Sequence, residues 1–99
     1  MHRFHTTTCF TFDVAVPFTE VDGTLELSRL AAGILHGLER VELEAPCTRD
    51  PIARTVTITT ATDTGRTLAS LFYGYCRREF GSKAVCIDAT PAQIGGPRR

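Results

Sequence analysis

Apolar and polar positions alternate over residues 6–18. Thr8, Phe10, Phe12, Val14, Val16 and Phe18 share one parity; Cys9, Thr11, Asp13 and Ala15 share the other. Period two over this length predicts a half-buried strand that Pro17 brings to an end. Glu20-Val21-Asp22-Gly23 then reads as a turn leading to a helix capped near Thr24. Leu27, Leu30, Ala31, Ile34 and Leu38 fall at helical spacing and are expected to face the core. Gly33 and Gly37 weaken that helix or mark its end. Alternation resumes over residues 39–45, with Val41, Leu43 and Ala45 inward, and predicts a second strand. Residues 47–51 carry turn chemistry. A third strand follows, with Val56 and Ile58 inward and Thr55, Thr57 and Thr59 outward. Asp63-Thr64-Gly65 opens a second helix, whose stripe is Leu68, Leu71, Phe72, Tyr75 and Cys76 and whose cap is Gly81. Residues 84–89 form a last short strand with Val85 and Ile87 inward.

This order, β-α-β-β-α-β, predicts an α+β fold of the ferredoxin-like sandwich type. It would have a four-stranded antiparallel sheet with two helices on one face. The expected spatial order is 4-1-3-2, with the long, threonine-rich first and third strands central. Residues 1–90 would form the single domain and residues 91–99 a flexible tail. The likeness is to a fold and not to a family, and a fold does not fix a function.

Composition narrows the function classes. The chain has 99 residues, 42% of them hydrophobic, and 11 basic against 11 acidic side chains. That is enough apolar content for a core and argues against disorder. The charge balance excludes a strongly basic nucleic-acid footprint. No apolar run approaches the roughly 20 residues of a membrane span. The N-terminus does not read as an export signal, so a cytoplasmic setting with the four cysteines as free thiols is expected.

Outward parity gathers Cys9, Thr11 and Asp13, Thr57, Glu42 and Glu44, and Cys86 and Asp88 on the open sheet face. Cys9 and Cys86 would lie on neighbouring strands, as thiols, as a disulfide or as a soft-metal pair. His2, His5 and Cys9 have an H-x2-H-x3-C spacing, although N-terminal histidines are more often solvated. His36 is expected on the wet side of the first helix. Phosphate loops, nucleophile elbows and H-E-x-x-H are missing from the sequence. No catalytic residue, metal or cofactor is therefore assigned. Tyr73, Arg77, Arg78 and Phe80 fall away from the core stripe of the second helix and carry residue types favoured at interfaces.

The leading expectation is a small non-enzymatic module that binds another protein, as adaptor, regulator or inhibitor. A mobile-element anti-defence inhibitor such as an anti-CRISPR fits the size class. The alternatives are a dimeric domain that holds or transforms a small molecule between sheet faces, and a nucleic-acid binder using Arg77, Arg78, Arg98 and Arg99.

Overall fold

The computed structural model describes residues 6–91. His2, His5, Arg98, Arg99 and the tail beyond residue 91 lie outside the described residues. The elements are β1 (Thr6–Phe12), α1 (Phe18–His36), α2 (Leu38–Glu44), β2 (Cys47–Asp50), β3 (Thr55–Thr59), α3 (Asp63–Phe80) and β4 (Val85–Pro91). The fold is α+β, with one open four-stranded sheet in the order β2-β3-β1-β4. All three strand pairings are antiparallel. β1 and β3 are the central strands, as their threonine-rich composition suggests, although β3 has five residues and the edge strand β4 has seven. Among the described residues there are three helices where two were expected.

The first strand stops earlier than its alternation implies. β1 ends at Phe12, and the Val16 N–H donates to the Asp13 carbonyl at 3.0 Å to close a turn. Val14, expected inward, is therefore 81% exposed, whereas Val16 folds back into the core. Arg54 locks this corner. It sits at φ 60, and its guanidinium donates to the carbonyls of Phe12, Asp13 and Val16. The Arg54 carbonyl in turn accepts from the Phe12 N–H at 2.9 Å.

Pro17 stands at the N-cap of α1, so the helix starts six residues before the expected Thr24. The Asp22-Gly23 pair, read as a turn, is helical. This changes which face is buried. The core stripe is Val21, Leu25, Ser28 and Ala32, and the Ser28 hydroxyl is satisfied by the Thr24 carbonyl at 2.8 Å. The stripe expected inside, Leu27, Leu30 and Ile34 with Leu38, points outward. Gly37, at φ 98, ends α1 and donates its N–H to the Gly33 carbonyl at 2.7 Å. Positive φ suits glycine at this corner.

Residues 38–44 are a helix and not the expected strand. Val41 and Ala45, four apart, are buried, while Leu43 is 81% exposed. That is helical and not pleated spacing. Glu39, Arg40, Glu42 and Glu44 favour a helix over a strand. The Arg40–Glu44 pair bonds at 3.0 Å across one turn. The second strand is instead Cys47–Asp50, the stretch read as a connection. The Asp50 carboxylate accepts from the Ile52 and Ala53 N–H groups at 3.1 Å and shapes the loop into β3.

α3 matches its expected start and its Gly81 cap. The Thr62 hydroxyl accepts the Gly65 N–H at 3.0 Å. Gly65 lies so close to the end of β3 that a Cβ would collide with the Thr59 carbonyl. One apolar cluster joins the inward sheet residues Phe10, Phe12, Val56, Ile58 and Val85 to the buried stripes of the helices. Phe72 packs edge-on against Phe10 at 5.0 Å and Phe12 at 6.0 Å.

Candidate functional site

The open sheet face is real but loses most of its carboxylates. Cys9 stands opposite Thr57 on β3 and Asp88 on β4, and Thr11 stands opposite Thr55 and Cys86. Cys9 and Cys86 are thus diagonal neighbours, and all four cysteines are free. Asp13 lies beyond the end of β1 in the exposed turn. Glu42 and Glu44 belong to α2 and leave the face altogether. Glu42 pairs with Arg29 at 3.5 Å. Glu44 accepts from Arg40 and from the Thr64 hydroxyl at 2.9 Å, bonds that hold its carboxyl below the usual glutamate range. What remains is a surface of threonines with Cys9 and Cys86, and with Asp50 and Asp88 on the two edge strands.

Cys76 and Cys47 are not activated thiols. Burial pushes the Cys76 thiol up to about 12. Cys47 is also raised by burial, against the pull of Arg29 and Arg49. A nucleophilic cysteine needs the opposite shift. Among the described residues no group of three or more His, Cys, Asp or Glu side chains is placed to hold a metal. His36 is half-buried, and its Nε2 lies 3.0 Å from the Thr67 hydroxyl, a contact that ties α1 to α3.

The residues singled out on α3 divide between two sides. Tyr73 packs against the core with its ring 6.2 Å from Phe10, and the Arg77 guanidinium lies over that ring at 5.5 Å. Phe80, expected to project away, packs against the core 6.3 Å from Phe12. Arg78 is exposed on the side that faces α1.

There the structure holds a feature that sequence reasoning assigned to the core. Leu27, Leu30, Ala31 and Ile34 of α1 face Tyr75 and Arg78 of α3 across a groove of about 630 Å³. Glu20 and Glu79 add carboxylates to its lining. Leu27 is 62% exposed, Leu30 55% and Ile34 86%. The signal was present in the sequence. α1 carries two apolar stripes, and the one with the smaller residues, Ser28 and Ala32, permits closer packing and is buried. Among the described residues no helix is long and apolar enough to cross a membrane. No family model, curated protein or solved structure matches the chain.

Proposed function

We propose that the protein is a small non-enzymatic interaction module, an adaptor, regulator or inhibitor acting in the cytoplasm through the outer face of α1 and α3. Its scaffold is read as a ferredoxin-like sandwich with one extra helix, α2, inserted between α1 and β2. The strand order and the helices on one sheet face support that reading. The observation that carries the functional reading is the outward stripe Leu27, Leu30 and Ile34 beside Tyr75. A contiguous apolar groove with a charged rim is the form of a protein contact site. Tyr, Leu-sized anchors and Arg78 supply the contact chemistry, and Tyr73, Arg77 and Phe80 brace α3 from behind.

A photo-crosslinking residue placed at position 30, compared with one at position 57 on the sheet face, tests the reading in cells. Crosslinks to protein from position 30 and none from position 57 are expected. The reverse pattern would move the contact to the threonine face. Silence at both positions would refute the module.

A further inference from the structure

We propose that the outer edge of β4 pairs with a second copy of this chain. β4 of one protomer adds antiparallel to β4 of its partner about a two-fold axis at Ile87, and the two sheets run on as one. The proposal is independent of the α1–α3 groove.

The hydrogen-bonding code of this edge follows from the registers. β4 ends the sheet, and among the described residues no strand lies on its outer side. In an antiparallel pair each residue turns both its N–H and its C=O to the same neighbour, and the next residue turns both away. The Ala84 carbonyl accepts from the Asp13 N–H at 2.9 Å, and Val85 stands opposite Phe12. Even-numbered residues of this strand therefore bond β1, and the backbone groups of Val85, Ile87 and Ala89 point to the outer edge. The far side of β1 agrees. Its Phe12 N–H donates to the Arg54 carbonyl, so Phe12 and Phe10 serve β3 and leave Thr11 and Cys9 to β4.

The two edges of the sheet differ. β2 has four residues, and the guanidinium of its Arg49 is paired with Asp22 and Glu26 of α1. Short length and charge are ordinary means of blocking an edge. β4 has seven residues, runs against β1 without a bulge and meets no proline before Pro91. Its central outward-bonding residue, Ile87, is 47% exposed beside a groove of about 460 Å³ that Ala69, Ser70 and Tyr73 of α3 also line. A long, regular edge with an exposed apolar residue is a template for a further strand.

The strand that fits this template is β4 itself. Outward-bonding residues can bond only one another, which limits a two-fold pairing to a few registers. With the axis at Ile87, Val85 meets the partner's Ala89 and Ile87 meets the partner's Ile87. Each such pair exchanges two bonds. On the open face Cys86 then stands opposite the partner's Asp88, so no like charges meet. Moving the axis on to Asp88 sets that carboxylate against its own copy. It also sets Val85 against the partner's Pro91, which has no N–H to donate. Axes farther on keep that proline in the ladder. Moving the axis back to Cys86 puts Ala89 opposite the partner's Lys83, outside the strand. The two-fold axis stands perpendicular to the sheet, so the helices of both protomers lie on one side and the two polar faces join.

Sedimentation velocity on the full chain, with Ile87→Lys, Ile87→Pro and Ile34→Asp, tests the proposal. Wild type and Ile34→Asp should be dimers. Ile87→Lys sets like charges on the axis, and Ile87→Pro deletes an outward N–H from each protomer while sparing the β1 ladder. Each should weaken association at least about 10-fold. Circular dichroism shows whether either variant has unfolded. Amide exchange of wild type needs no variant. Protection of the Ile87 N–H should rise with protein concentration, while the Cys86 and Asp88 N–H groups, already bonded to β1, should change little. A wild-type monomer up to about 1 mM would overturn the proposal. So would a dimer whose Ile87 exchange ignores concentration, or one that folded Ile87→Lys leaves intact. A dimer that Ile34→Asp dissolves would place self-association in the groove instead. If wild type is monomeric but position 30 still crosslinks to another protein, the paired edge falls and the interaction module stands.

Discussion

Arg54 is the residue on which the β1–α1 corner depends. A non-glycine side chain at φ 60 is held there because its guanidinium serves three carbonyls at once. Hydrogen bonds from a charged donor contribute about 1.5–3 kcal/mol. Arg54→Ala should therefore lower the unfolding free energy by about 2 kcal/mol in urea, and a loss under about 0.5 kcal/mol would contradict the assignment. Glu44 works through charge. Its folded carboxyl is held low, first by Arg40 and then by Thr64. Such a group stabilises the fold above its unfolded pKa, and the contribution is lost as pH falls through the folded value. From about pH 5 downward, wild type should lose stability more steeply than Glu44→Gln; parallel acid limbs would contradict this. The thiols give a third test. Exposed Cys86 should react first with iodoacetamide at neutral pH, and buried Cys76, pushed up to about 12, only on unfolding. Mass spectrometry of the modified peptides reads the order directly.

At the scale of elements, legibility followed how completely local signals agreed. β3 and α3 were readable because alternation and turn residues coincide: Val56 and Ile58 inward, Asp63-Thr64-Gly65 at the start, Gly81 at the end. β1 was readable until Phe12, where Arg54, a partner 42 residues away, ends the ladder. No local pattern reports such a partner. α2 was misread because a seven-residue run fits period two and period 3.6 alike, and helix propensity with tertiary packing decided between them. The reading that Val41 is buried and Leu43 is not separates the two outcomes. Val41→Ala should cost about 2 kcal/mol and Leu43→Ser less than about 0.5 kcal/mol in denaturant titration. Equal losses would restore the strand. α1 was the more consequential miss. Its outer stripe was found correctly as a stripe, but the start of the helix, six residues earlier, set which stripe turned inward. The carboxylates grouped on the sheet face depended on the same misread strand, so Glu42 and Glu44 left the candidate site together with it.

At the scale of the molecule, the Cα radius of gyration is 13.4 Å, the value expected of a folded domain of about 100 residues. Such a domain buries too little surface to spend apolar residues freely on its outside. Yet Leu27, Leu30, Ile34, Leu35 and Leu38 are all exposed along α1 and the start of α2. The opposite side of the sheet carries the polar threonines. The molecule thus presents one wet face and one apolar one, and the apolar one is where a partner protein should bind. The most direct measurement is photo-crosslinking in cells from position 30, with and without Ile34→Asp, beside thermal melts of wild type and Ile34→Asp in dilute solution. The account predicts a protein crosslink that Ile34→Asp abolishes, a folded Ile34→Asp chain, and dilute melting temperatures within about 4 °C of each other, as a surface change of under about 0.5 kcal/mol implies. An Ile34→Asp chain that cannot fold would put the stripe back in the core. A folded variant that crosslinks as strongly as wild type would place the contact elsewhere, and either result would contradict the account.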